Sequence, residues 1–230
     1  MAAPWTFAEQ EDVGFSDPKL ITDYLRRSGV TADGERRRLQ RWGIDRNDSV
    51  LEVGCGPGVL ATEAARLCRH VTAVDPSAAM LDHARTLAKR VGVTNITFDR
   101  AGFLTYKHGG DPADVVVSVR ALHHLPDFWK TQALGRIHDM LRPGGTLHLA
   151  DLVYSFEPPD ADRAIAAWID TTANPDTGFP RTFFEDHVRK EYSTYAWILE
   201  GILHQTGFEI LEASYDPRQT YATYTCRRPT

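Results

Sequence analysis

The sequence predicts an α/β fold: a doubly wound, mostly parallel sheet of seven strands that ends in an antiparallel hairpin. Three observations carry that prediction. Short, near-continuous apolar runs alternate with helical stretches through the middle of the chain, as in a parallel sheet covered on both faces. A glycine-rich turn follows the first of these runs. Near the C-terminal end two strands stand too close in sequence to pair in any way but antiparallel.

In order, residues 50–53 read as a buried strand closed by glycines, and 59–68 as the helix after it. Residues 71–74 form a second strand and 78–91 a helix whose start is marked by Pro76 and Ser77. Residues 96–98 and 114–119 are strands three and four, the latter almost wholly apolar. Residues 129–141 are helical and stop at Arg142-Pro143-Gly144-Gly145, and 146–153 make strand five. A helix over 194–205 closes at Gly207, and strands 208–215 and 221–226 flank the turn at Asp216-Pro217. Right-handed crossovers wind the parallel part in both directions.

Composition narrows the function classes. With 230 residues, of which 42% are hydrophobic and 25% charged, the chain can bury the core of a single domain without staples. A net charge of −5 gives no electrostatic footprint for nucleic acid. The densest basic cluster, Arg36-Arg37-Arg38 with Arg41, has helical spacing and is expected to be a solvated helix face. No apolar run approaches the ~18 residues of a membrane span. Residues 1–10 have neither a basic nor an apolar leader segment, so a cytoplasmic protein is expected. Cys55, Cys68 and Cys226 are scattered, which fits a reducing compartment and speaks against a zinc ribbon or a disulfide framework.

The segment Glu52-Val53-Gly54-Cys55-Gly56-Pro57-Gly58 lies between a predicted strand and a predicted helix. Glycines there permit a sharp turn and close approach of a ligand to the backbone. The helix start beyond them suits a carboxylate, and Glu52 is placed to face an ammonium. Asp75, after the second strand, stands where an acid can accept two hydrogen bonds from a ribose diol; a helix cap is the structural alternative. Loop and acid together point to a nucleotide-type cofactor. A dinucleotide pattern read from Gly54 needs a small residue where Val59 stands, and read from Gly56 it moves the glycines away from the strand end.

These segments resemble the class I S-adenosylmethionine-dependent methyltransferases, in their small-molecule, ubiquinone-biosynthesis-like branch. Residues 50–58 are similar to the family's first motif, Val74-Asp75-Pro76-Ser77 to its acidic loop, residues 114–118 and 123–127 to its fourth-strand segment, and 141–147 to the turn that opens strand five. The likeness runs in order over residues 48–155 and implies a Rossmann-like fold that binds S-adenosyl-L-methionine and releases S-adenosyl-L-homocysteine. It implies Glu52, Gly54, Cys55 and Gly56 around the methionine portion, Asp75 on the ribose, and Pro76 and Met80 near the adenine. Where the family usually has an aspartate facing the adenine amino group, this chain has Gly102, followed by Phe103. Backbone groups and the Phe103 ring are therefore expected to hold the base.

Methyl transfer to a neutral amine or an enol-like carbon needs no strong base, whereas a phenol or alcohol benefits from a histidine. His123 and His124 follow strand four at the sheet edge where ligands bind. Adjacent residues are not expected to face the same way, and the resemblance makes His123 the site-facing one and the catalytic candidate. Arg120, at the same strand end, suits a carboxylate of the cofactor or an anionic group of the acceptor. Asp151, Tyr154, Glu185, Asp186, His187, Tyr192 and Tyr195 are chemically able but lack a diagnostic spacing, and no two-ligand metal pattern is present. The expected partner is a small-molecule methyl acceptor, met by a monomer or homodimer. Residues 1–45 are expected to form an N-terminal helical lid, with Trp5, Phe7 and Phe15 among acids, and residues 154–193 an aromatic substrate-side insert. An oxidoreductase using NAD and a non-catalytic cofactor-binding module are the readings from other classes.

Overall fold

The computed structural model describes residues 5–9 and 18–230. Two helices, α1 (Pro18–Ser28) and α2 (Ala32–Arg41), precede the sheet. The alternating part follows as β1 (Ser49–Val53), α3 (Val59–Ala65), β2 (His70–Asp75), α4 (Ala78–Val91), β3 (Ile96–Arg100), β4 (Ala113–Val119), α5 (Asp127–Met140) and β5 (Leu141–Tyr154). The last third holds α6 (Ala161–Thr172), α7 (Arg181–Lys190), β6 (Thr194–Tyr195), α8 (Ala196–Gln205), β7 (Glu209–Tyr215) and β8 (Tyr221–Arg227). The sheet order is β3-β2-β1-β4-β5-β8-β7, parallel through β5 and antiparallel beyond it, with β6 pairing with the end of β5. The seven expected strands are all there; the two-residue β6 is too short to leave a pattern.

The apolar strands are explained by two cores. In β4, Val115 and Val117 point to the face covered by α2, α3 and α4, while Val116 points to the face covered by α5 and α8. A strand buried on both sides has no polar alternate, which is why periodicity disappears from it. Helix α4 starts at Ser77, whose hydroxyl accepts the Met80 N–H, and ends at Gly92 with φ +74°. The Arg-Pro-Gly-Gly turn lies within β5: Leu141 already pairs with Ala113, and a register shift precedes the pair Val115–Thr146. There a Cβ on Gly145 would stand 2.9 Å from the Arg142 carbonyl and 3.0 Å from that of Asp114.

One expectation fails here. The arginine cluster is only half solvated. Arg37 and Arg41 are exposed, but Arg36 clasps the buried Glu63 of α3 at 2.7 Å, and Arg38 pairs with Glu35 at 3.0 Å and covers the Trp42 ring. The carboxylates of Glu35 and Glu63 are buried and require countercharges, which an exposed face could not supply. The segment after strand five is largely helical. It contains α6 and α7, whose Trp168, Ile169 and Phe184 make a third small core with Phe179 and Leu152.

His148 of β5 is buried, stacks on Trp42 at 4.8 Å and meets Thr225 at 3.2 Å. Burial drives its pKa down to about 4. A histidine depressed in the fold contributes stability that is complete above its unfolded value near 6.5 and is lost as pH falls toward about 4. His148→Phe keeps the stack and removes the titration. Thermal melts over this window are therefore expected to fall less steeply with acid in the variant. Equal slopes would contradict a neutral buried His148.

Candidate functional site

The carboxyl ends of β1, β2 and β4 meet at a cavity of about 690 Å³. Its floor is the turn after β1. Gly54, Gly56 and Gly58 all have positive φ, and a Cβ at Gly54 would collide with the Ala121 side chain. A Cβ at Gly58 would come within 2.5 Å of the Ala84 Cβ, whereas at Gly56 it would meet open space. Asp75 ties this loop down. Its carboxylate accepts the Gly56 N–H at 2.8 Å and the Ser77 N–H at 2.9 Å. Ser77, not Asp75, caps α4, so the cap alternative for the acid falls away; the acid instead organises the glycine loop through the two N–H groups it accepts.

Glu52 is buried beneath the loop, and its Oε2 has no hydrogen-bond partner among the described residues. Burial, reinforced by the nearby Glu35 and Asp75 charges, pushes it well above the ordinary carboxylate range. An orphaned buried carboxylate facing a cavity fits an ammonium ligand. Cys55 is buried at the cavity and its thiol is pushed far up by burial, so it is not a reactive thiolate. Pro76, Met80, Gly102, Phe103, Arg120 and His123 line the same cavity. Arg120 takes φ +54°, and its N–H donates to the Ala150 carbonyl at 2.8 Å.

At the far end the chain builds a histidine cluster. A single 3-10 turn, Leu122–His124, follows β4. His123 Nδ1 lies 2.5 Å from Asp151 Oδ1, and the His123 N–H donates to the other carboxylate oxygen at 3.1 Å. Burial raises Asp151, but the charge and hydrogen bond of His123 outweigh it and hold Asp151 below its ordinary range. His124 Nδ1 pairs with Glu191 at 2.8 Å. Burial works against its charge, yet that pairing raises it overall. Burial and the neighbouring His123 lower His187 to about 4.

The rings of His123 and His124 lie 4.3 Å apart and both line the cavity, which corrects the expectation that they face apart. A 3-10 turn separates neighbours by roughly 120° rather than the 180° of a strand, so both can converge. Asp151, Glu191 and His187 are the partners that spacing could not reveal. Asp151 stands one residue beyond the last β4–β5 pair, Val119–Ala150, so its position depends on register. Glu185 and Asp186 pair with Arg181, Arg189 and Lys190 on α7, while Tyr154, Tyr192 and Tyr195 lie outside the cavity. Ligand atoms of His123, His124 and Glu191 fall within 4.8 Å of one another, a grouping able to hold an ion; Asp151 and Glu191 already occupy both Nδ1 atoms. The expected lid residue Phe15 lies outside the described residues.

A glycine loop tied down by a buried acid, with a histidine cluster beside it, sits at the switch point of a doubly wound sheet, where nucleotide-type cofactors bind. The comparisons with known proteins sharpen this. Residues 50–145 match the methyltransferase domain family. The chain is 28% identical over 165 residues to a methyltransferase of Anoxybacillus flavithermus, covering 70% of this chain and 69% of that one. It is 40% identical over 104 residues to a methyltransferase of Mycobacterium tuberculosis, covering 45% of this chain and 50% of that one, so it spans about half of that relative. The fold is that of the N-methyltransferase NodS of Bradyrhizobium japonicum, solved with S-adenosyl-L-homocysteine. The TM-score is 0.59 at 18% identity, over 96% of this chain and 90% of that one. Residues 50–145 thus form a methyltransferase domain, and the fold is one shared with solved S-adenosylmethionine-dependent methyltransferases.

Glu52→Gln separates site from stability. A carboxyl raised in the fold loses stability as pH climbs above its unfolded value, near 4.5. The ligand-free variant is therefore expected to melt higher than wild type at neutral pH, by about 2–4 °C per kcal/mol relieved. Its affinity for S-adenosylhomocysteine should fall about tenfold or more, as a charged hydrogen bond is lost. Calorimetry and melts check both; an unchanged affinity would remove Glu52 from the ammonium site.

Proposed function

We propose that this methyltransferase transfers the methyl group of S-adenosyl-L-methionine to an oxygen of a small, apolar or aromatic hydroxyl compound, with His123 as general base. The observation that carries this reading is the His123–Asp151 pair. An ionised Asp151 accepts the Nδ1–H, which fixes the tautomer and leaves Nε2 as the proton acceptor. A base of that kind is superfluous for an amine but useful for a hydroxyl.

When bound, the cofactor supplies a methyl group activated by its sulfonium. The chain's residues then have three tasks. Glu52 takes the ammonium and Asp75 the ribose hydroxyls, with Gly54, Cys55 and Gly56 allowing close backbone approach. Pro76, Met80 and Phe103 flank the base. Arg120 supplies a cation for the cofactor's carboxylate or for an acid group on the acceptor. On the acceptor side Trp168, Phe179 and Phe184 give the cavity an apolar wall, which supports a small aromatic or hydrophobic acceptor. His187, neutral at physiological pH, adds no charge to that wall.

Closure over the site is supported from two sides. Tyr24 of α1 meets Phe179 of the insert at 6.1 Å, and Phe7 packs edge-on against Tyr192 at 6.0 Å. Residues 1–45 and 154–193 then act as lid and insert of one domain and exclude water during transfer. No helix among the described residues is long and apolar enough to cross a membrane. The free, buried Cys55, Cys68 and Cys226 accord with a cytoplasmic protein.

His123→Asn is expected to lower kcat for a hydroxyl acceptor about a hundredfold or more, with the affinity for S-adenosylhomocysteine kept. A labelled methyl donor, offered with a panel of small phenols, alcohols and amines, supplies the assay. A variant with full turnover, or a preference for amines, would overturn the base assignment.

A further inference from the structure

We propose that Glu9 is a specificity-determining residue at the nucleoside end of the cavity: its carboxylate supplies the acceptor that meets the exocyclic amino group of the cofactor's purine. The proposal rests on the cofactor reading above and assigns a role to a segment that precedes the whole sheet.

The starting point is a turn with nothing of its own to cap it. The Gly102 carbonyl accepts the N–H groups of Thr105 at 3.3 Å and Tyr106 at 2.9 Å, which makes residues 102–106 a single helical turn. The first N–H groups of such a turn need an acceptor, and glycine has no side chain to give one. Glu9 fills the role. Its Oε2 accepts the Leu104 N–H at 3.0 Å, and the Phe103 N–H bonds to the same carboxylate. A Cβ built on Gly102 would collide with both oxygens and the carboxyl carbon of Glu9. The glycine at 102 and the glutamate at 9 are therefore one arrangement: only a residue without a side chain leaves room for this carboxylate.

Two neighbours hold it in place. Phe7 packs against the main core and the Tyr192 ring, which pins the segment two residues away. Arg136 grips the other side of the turn through the Phe103 carbonyl at 3.0 Å and the Tyr106 carbonyl, and its charge favours ionised Glu9. Burial and the Asp75 charge work the other way and raise Glu9 above its ordinary range. A half-buried carboxylate in that position gains from a further hydrogen-bond donor.

The ligand's chemistry follows from what surrounds it. Asp75 is the proposed diol acceptor, Glu9 lies within reach of its charge in the same cavity, and Met80 and Phe103 line that cavity as apolar surfaces. A base attached to a ribose on Asp75 would share this cavity with Glu9, whose carboxylate could meet a donor on its edge. The carboxylate keeps lone pairs beyond those used by the loop, and they accept only from a donor. The amino group of adenine is such a donor, whereas a purine without it has none to offer at that position.

The test is calorimetric titration of the full chain with S-adenosylhomocysteine and with its analogue lacking the purine 6-amino group. Wild type is expected to prefer the amino-bearing ligand by about ten- to a hundredfold, the scale of a charged hydrogen bond. In Glu9→Ala that preference should collapse, with affinity for S-adenosylhomocysteine lowered to that of the analogue. Glu9→Gln has one acceptor oxygen for both loop and ligand, so its preference should also fall; it serves if the alanine variant does not fold. A preference that survives in either folded variant, or an equal loss for both ligands, overturns the proposal and leaves Glu9 a loop cap. Wild type that binds neither ligand would instead overturn the cofactor reading, and is visible before any variant is made.

Discussion

The contact on which the rest of this site depends is the one between Gly54 and Ala121. Any side chain at position 54 would occupy the space of the Ala121 methyl group, so the end of β1 and the turn after β4 approach only because residue 54 has none. That approach sets Glu52 and the glycine loop beside Arg120 and His123. Asp75 completes the frame by taking the Gly56 N–H, which ties the end of β2 to the same loop. Cofactor-holding and acceptor-facing groups thus share one cavity because three strand ends are locked together by backbone geometry. A doubly wound sheet brings those strand ends to one edge, and the glycines let them close.

The electrostatics of the site differ between its two ends. On the acceptor side every histidine has a partner: His123 with Asp151, His124 with Glu191, and His187 with Ser193 at 2.8 Å. On the cofactor side Glu52, Asp75 and Glu9 are all raised by burial, and Glu52 keeps an orphaned oxygen. Burial thus disfavours the charged form of three carboxyl groups at this end of the cavity. Strain of this sort at a site is a local cost offset by the two apolar cores on either face of the sheet. The left-handed Arg120 is a second instance, a non-glycine residue at φ +54° on the cavity wall.

Much of the fold was legible because it is written in local patterns. The bounds of α4 follow from the Ser77 cap and Gly92, and the strands from apolar runs that end in glycine or acid. The proposed cofactor side could be read from the sequence for the same reason, since Glu52, Gly54, Gly56 and Asp75 lie at two adjacent strand ends and share one cavity. The acceptor side could not. Asp151 meets His123 through the β4–β5 register, and Glu191 arrives from the segment between α7 and β6, which no spacing ties to residue 124. The helices α6 and α7 bury Trp168 and Phe184 against each other and against Leu152, so their amphipathic pattern was masked by aromatic residues that a loop could equally carry. Gly102 was recognised as a departure, but its partner Glu9 lies 93 residues earlier in the chain, beyond the reach of any local rule.

The central claim is that the glycine loop, Glu52 and Asp75 form a site for an adenosyl amino acid and not for a dinucleotide. Parallel calorimetric titrations of the purified chain with S-adenosylhomocysteine and with NAD test it most directly. The account predicts saturable one-to-one binding of S-adenosylhomocysteine and no heat of binding for NAD. Saturable binding of NAD with none for S-adenosylhomocysteine would contradict it.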